Sequence, residues 1–260
     1  MNFCVCAPCF FPKLSPAEAM SKIALAGYGA AEFWRVSENE IPEARRIAHG
    51  EGVRVVSLCA DDFRMNERAH AGEWLDALKR SLDKANALGA SLMITQVGQD
   101  TGESRETQLS VIRENLQAAL PILERANVSL LLESLNVRYD HKGYILPSAV
   151  ECARLARGLQ SPSVRQVFDF YHEQAQNGDL LNAFREAEDV VLHAHIAGNP
   201  GRHEPWLGET DYRNVFRFMK KEGYEGFIGL EYLPQLEPEE SLREFLRAYR
   251  DFSLSAESRT

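Results

Sequence analysis

Eight times along this chain a short run of β-branched or aromatic residues is followed by a longer stretch with apolar residues at helical spacing. Parallel strands joined by crossover helices demand that alternation, and few architectures satisfy it. The expected strands are 2–7, 31–35, 53–58, 91–97, 128–133, 164–169, 190–197 and 226–231. The first helix opens at Ser15 with Pro16 in its first turn and is closed by Gly27, a favoured start and stop. The others are expected at 40–51, 73–88, 103–126, 147–158, 180–188, 212–222 and 238–252. Residues 128–133 read VSLLLE, nearly continuous apolar sequence, as a strand buried on both faces requires. A doubly wound open sheet is the rival. Eight units in 260 residues, with no linker or composition break, favour closure into a single (β/α)8 TIM barrel. The expected barrel spans 1–254, with a polar tail at 255–260.

In such a barrel the loops that follow the strands share one face, the face that carries chemistry. The long irregular segments, near 60–72, 136–146 and 198–211, all follow strands. Four consecutive strands also end on residues that can ligate a metal: Glu133, Asp169, His195 and Glu231. A carboxylate closing a buried apolar strand is costly unless it has a partner. One or two of these acids would be unremarkable as loop-start salt bridges; four in consecutive units point to a shared cation. Three carboxylates and one imidazole suit one divalent ion, Mn²⁺ or Mg²⁺ first, with Co²⁺ or Zn²⁺ also compatible.

Other polar residues fall in the same loops. His172 lies three residues past Asp169, and Arg202 and Glu204 sit in the NPGRHEP loop; all three are candidate substrate contacts. Arg202 is suited to a carboxylate or hydroxyl. Asn136 serves equally as a pocket residue or a loop cap. His193 alternates with His195 and is expected as a hydrogen-bonded histidine deeper in the barrel. Trp34, with Phe10 and Trp206, offers an apolar wall over the substrate carbons.

The net charge of −9 argues against a nucleic-acid partner, since a phosphate backbone calls for clustered Lys and Arg. No apolar run is long enough for a membrane span, and the N-terminal segment reads as a strand rather than a signal peptide. The five cysteines, Cys4, Cys6, Cys9, Cys59 and Cys152, are odd in number, and three crowd one end. They fit a reducing, cytoplasmic setting and packing inside the barrel better than a disulfide framework or a cluster motif.

The segments VSLLLESLN, DHKGYIL, VFDFYHEQAQNGDL, HIAGNPGRHEP and GYEGFIGLEYLP resemble the hydroxypyruvate isomerase branch of the xylose-isomerase-like barrel enzymes. The likeness is firm over 128–234 and looser before it, where GYGAAEFW aligns Glu32 and Phe33. The resemblance implies a metal-dependent isomerase or epimerase of a small sugar or oxo-acid, often a homo-oligomer. It makes Glu133 and Glu231 both metal ligands and the acid/base pair, has Asp169 and His195 complete the metal site, and puts His172 and Arg202 on substrate oxygens. There are departures. His195 stands where that branch usually has Gln and looks more like the ketose 3-epimerase branch. WLGE at 206–209 replaces a Gly-Thr-Gly-Glu segment, the first strand lacks the usual Asn, and EFW replaces an aromatic-proline-tyrosine turn. The expected reaction is aldose–ketose isomerisation through an enediolate. Ketose 3-epimerisation, decarboxylation of a β-keto sugar acid and a non-catalytic sugar-binding barrel are the alternatives. Phosphodiester cleavage by a zinc cluster, as in a related barrel family, fits poorly with seven histidines and this net charge.

Overall fold

The computed structural model describes residues 1–252; the expected tail at 255–260 lies outside the described residues. The strands are β1 (Asn2–Cys6), β2 (Ala30–Phe33), β3 (Arg54–Cys59), β4 (Leu92–Thr95), β5 (Ser129–Glu133), β6 (Val164–Asp169), β7 (Val191–Ile196) and β8 (Phe227–Leu230). They pair in sequence order, all parallel, and β8 closes on β1. The TIM barrel expected from the alternation is the fold observed.

The helices in chain order are α1 (Ala7–Phe10), α2 (Pro16–Leu25), α3 (Ile41–Glu51), α4 (Ala71–Leu88), α5 (Arg105–Ala126), α6 (Ala149–Gly158), α7 (Phe170–Gln176), α8 (Leu180–Ala187), α9 (Tyr212–Lys221) and α10 (Pro238–Ala248). Ser15 caps α2 in a capping box with Glu18, satisfying two amides that the first turn leaves without partners. Gly52 and Gly89 end α3 and α4 at φ 68° and 74°, a left-handed conformation that costs glycine little. None of the helices among the described residues is long and apolar enough to cross a membrane.

Two helices were not expected. α1 starts directly after β1, and α7 starts directly on Asp169, whose side chain caps it. β2 is also shorter than expected, so Trp34 and Arg35 lie beyond the strand in the loop above it.

Side chains alternate along each strand between the helix layer and the barrel interior. The interior floor is apolar. Cys4, Ala30 and Val56 form one cluster; Ile94, Leu131 and Val167 form another. Two residues further along the same strands the interior turns polar: Ala30 leads to Glu32, Leu131 to Glu133 and Val167 to Asp169. The period of two therefore stacks a polar layer on an apolar plug, at the end of the barrel where the loops emerge. The larger core lies between strands and helices and includes Val5, Leu58, Met93, Leu132, Phe168 and Ile228.

Candidate metal centre and active site

Glu133 and Asp169 end β5 and β6, His195 is the penultimate residue of β7, and Glu231 directly follows β8. Adjacent strands bring them round one side of the barrel mouth: Asp169 pairs with His195 in register, and Glu133 with Val167. All four are buried, and each offers a ligand atom within 4.8 Å of the others. Nδ1 of His195 lies 3.1 Å from Glu231 Oε2 and 3.6 Å from Glu133 Oε1. Glu133, His195 and Glu231 border a cavity of about 580 Å³ that opens where the loops emerge.

Each carboxylate is held differently. Asp169 Oδ1 accepts from the amides of Tyr171 and His172, at 2.7 and 3.0 Å, and so caps α7. That leaves Oδ2 without an amide donor. Glu231 Oε2 is paired with an Arg202 guanidinium nitrogen at 2.5 Å, and the Trp34 indole donates to Oε1 at 3.1 Å. Arg202 takes a left-handed backbone at φ 57°, and its carbonyl accepts from Leu233 N at 2.7 Å. A non-glycine residue held in that region costs about 1–3 kcal/mol and persists where the surroundings determine it.

The electrostatics call for a cation. Burial raises the Glu133 carboxyl to about 7; the negative charges of Glu231 and Asp169 add to this, against the pull of His195. Burial likewise raises Asp169 despite Arg202. Burial acts the same way on Glu231, but Arg202 and His195 overcome it and hold it well below the usual range. Burial would lower His195, yet the charges of Glu32 and Glu231 hold it well above its ordinary value. Three buried acids therefore compete for too little positive charge, and His195 Nδ1, facing two of them, has no hydrogen-bond partner. Glu133, Asp169, His195 and Glu231 fit a divalent ion in number, chemistry and convergence.

His172 is fixed by donors. The Asn136 side-chain amide lies 2.7 Å from its Nδ1, and the Asn136 backbone N–H also points there at 3.4 Å. An Nδ1 that accepts leaves the proton on Nε2. Nε2 has no hydrogen-bond partner and lies 3.7 Å from Asp169 Oδ2, beside the cavity. Burial and the Arg202 charge push this imidazole well below its ordinary value. It is thus a neutral N–H donor aimed at the pocket. Asn136, open between two roles in sequence, positions His172 and also holds its own loop through Tyr139 and Asp140.

The apolar wall differs from the expectation. Trp34 lines the cavity, but its companions are Phe11, Phe33 and Phe63. Phe10 and Trp206 instead pack on Tyr232, away from the pocket. Glu204 is a further correction. It is fully buried, and its Oε1 accepts from Gln235 N, Leu236 N and Ser241 Oγ at 2.9–3.1 Å, so it braces the loop between β8 and α10. His193 is the buried, hydrogen-bonded residue expected: its Nε2 lies 2.8 Å from Glu32 Oε2. All five cysteines are free, and Cys6 reaches the cavity wall. The part played by Glu32 was not read from sequence, although a lone acid in the apolar run AAEF was a signal.

The model of the xylose isomerase-like TIM barrel family matches residues 20–251. The putative hydroxypyruvate isomerase of Homo sapiens is 31% identical over 258 residues, covering 93% of this chain and 92% of that protein. Hydroxypyruvate isomerase of Escherichia coli strain K12 is 29% identical over 231 residues, covering 85% and 89%. Among solved structures, that of an AP endonuclease, family 2, from Brucella melitensis aligns with a TM-score of 0.89 at 25% identity, covering 95% of this chain and 98% of that one.

Proposed function

The chain belongs to the xylose isomerase-like TIM barrel family, and on that premise we propose that it is a metal-dependent isomerase of a small hydroxy-carbonyl compound, with hydroxypyruvate the first candidate. One observation carries this reading: Glu133 and Glu231, from β5 and β8, converge with Asp169 and His195, each offering a ligand atom within 4.8 Å of the others, beside the cavity. The hydroxypyruvate isomerase relatives support the substrate class.

Glu133, Asp169, His195 and Glu231 would hold the ion, with Mn²⁺ or Mg²⁺ the best match to a donor set rich in oxygen and Co²⁺ or Zn²⁺ compatible. When bound, the ion supplies Lewis-acid polarisation of a carbonyl and its neighbouring hydroxyl, which acidifies the carbon-bound proton between them. One glutamate removes that proton to leave an enediolate, and the proton is returned to the adjacent carbon. Arg202 and the Nε2 proton of His172 donate to substrate oxygens at the cavity edge. Trp34, Phe33 and Phe63 exclude water from the reacting carbons.

A second reading has its own observation. Glu133 and Glu231 approach His195 Nδ1 from β5 and β8, so two acid/base groups can serve opposite faces of one carbon. Proton return to the opposite face is 3-epimerisation of a ketose.

The test is a screen of hydroxypyruvate, small ketoses and aldoses with Mn²⁺ or Mg²⁺, and again after chelation. Glu133→Gln and Glu231→Gln should each lower turnover by about 10²–10⁴-fold, the contribution of a positioned acid or base. Near-wild-type turnover in either variant, or full activity in chelator, refutes the assignment. Product identity separates isomerisation from epimerisation.

A further inference from the structure

Glu32 has two carboxylate oxygens and two histidine neighbours. Oε2 accepts from Ser57 Oγ at 3.0 Å and lies 2.8 Å from His193 Nε2. Oε1 lies 3.1 Å from His195 Nε2, out of line for a hydrogen bond, and neither of those two atoms has a hydrogen-bond partner. Glu32 is 2% exposed. Two unpaired polar atoms so close in a buried place are costly, and a small turn of the imidazole toward the carboxylate satisfies both.

The neighbouring strand is shaped for this contact. Gly229 stands beside His195 in the pairing of β7 with β8. A Cβ there would lie 2.4 Å from Glu32 Oε1 and 2.7 Å from His195 Cδ2. The bare glycine leaves the space through which carboxylate and imidazole meet.

We propose that Glu32 is a positioning residue for the metal centre: it takes the Nε2 proton of His195, fixing the tautomer and ring orientation that leave Nδ1 for the ion. The inference rests on the metal reading above and deepens it. A histidine ligand commonly gives its other N–H to a carboxylate, which orients the ring and raises its basicity. Here Nδ1 faces Glu231 and Glu133 while Nε2 faces Glu32, so the ring is set between the ligand side and its brace. Glu32 reaches the site from β2, on the far side of β1 from the ligand-bearing strands.

The test uses the whole chain and Co²⁺ alone, read by calorimetric affinity and by the visible d–d spectrum. Glu32→Ala should weaken Co²⁺ binding by about 10- to 100-fold, the usual effect of removing such a partner, and alter the spectrum. Glu32→Gln keeps a carbonyl acceptor at the same reach and should restore affinity to within about tenfold of wild type. Melting of the metal-free variants tells folding from positioning, and Glu32→Gln carries the test if Glu32→Ala fails to fold. A wild-type Co²⁺ affinity and spectrum in folded Glu32→Ala, or a Glu32→Gln no better than Glu32→Ala, overturns this assignment alone. A wild-type chain that binds no Co²⁺ overturns the metal reading and this assignment with it.

Discussion

Gly229→Ala is the smallest change that should disturb the site without replacing a candidate ligand. In a strand at ordinary φ, replacing glycine by alanine normally stabilises by about 0.4–1 kcal/mol, because the unfolded chain loses freedom. At Gly229 the new methyl would sit 2.4 Å from Glu32 Oε1, 2.7 Å from His195 Cδ2 and 3.1 Å from Glu32 Cδ. Carboxylate and ring must each retreat by several tenths of an ångström or more. Neither can do so freely: Ser57 and His193 hold the other oxygen of Glu32, and His195 is in register with Asp169. Overpacking of this kind costs about 1–3 kcal/mol. The steric cost exceeds the entropic gain, for a net loss of about 0.5–2 kcal/mol. At about 2–4 °C per kcal/mol for a chain of this size class, the melting temperature of the metal-free protein should fall by roughly 1–8 °C. Because the displaced ring is a proposed ligand, Co²⁺ affinity should fall as well. Thermal melts after exhaustive chelation, followed by a Co²⁺ titration, measure both. A melting temperature at or above wild type with unchanged Co²⁺ affinity would refute the reasoning, since that is what an unobstructed glycine-to-alanine exchange gives.

Metal binding should expel a proton near neutrality. Glu133, raised to about 7 in the metal-free protein, is largely protonated at pH 6 and largely ionised at pH 8. Calorimetry in buffers of different ionisation enthalpy should find more proton release at pH 6, and affinity that rises with pH up to about 7; equal release at both pH values contradicts this. The sign for stability follows from the same shift. The folded state holds this proton more tightly than the unfolded one, so this carboxyl's contribution falls as pH climbs from about 4.5 toward 7 in metal-free protein, and added metal offsets the loss. Glu204→Ala removes the acceptor of three hydrogen bonds and should cost about 2–4 kcal/mol in a denaturant melt while Co²⁺ stoichiometry is kept; loss of substrate affinity at unchanged stability would return Glu204 to the pocket. Arg35 lines the cavity mouth, is exposed and has no acidic partner among the described residues. If it steers an anionic substrate, Arg35→Ala should raise KM for hydroxypyruvate about two- to fivefold at low salt, the scale of an exposed ion pair, and leave a neutral ketose unaffected.

The barrel was legible because its demands are local. Period-two strands, helical spacing and caps such as Ser15 are written in adjacent residues. The four candidate ligands were legible for a related reason: an acid or imidazole at the end of a buried strand contradicts the strand, and four such contradictions in consecutive units have a common answer. What could not be read depends on distant or reversed chain. The partner of Glu32 is 161 residues away at His193, and no spacing rule joins them. Asp169 was legible as a candidate ligand but not as the cap of α7, which takes only one of its two oxygens. Glu204 follows Arg202 by two residues, and an extended loop would put both on one face. The left-handed backbone at Arg202 breaks that alternation, so the arginine enters the site while the glutamate turns under the neighbouring loop.

Glu133 and Glu231 show what a sequence hides even where it names the right residues. Each closes an apolar strand, in LLLE and in IGLE, and the two read as equivalent. In the fold they are not. Arg202 and Trp34 both donate to Glu231, and its carboxylate stays ionised. The Glu133 carboxylate accepts no hydrogen bond among the described residues, His195 Nδ1 lying 3.6 Å away, and burial leaves its carboxyl near 7. Three of the four candidate ligands are thus braced, Asp169 by the amides of α7, Glu231 by Arg202 and Trp34 and, on the inference above, His195 by Glu32. Glu133 alone can swing between a ligand position and a carbon-bound proton without breaking a hydrogen bond that holds it. On the proposed mechanism, that asymmetry leaves Glu133 the less restrained of the two candidate acid/base groups. Glu133→Gln should therefore impair turnover far more than Co²⁺ affinity, and Glu231→Gln should impair both.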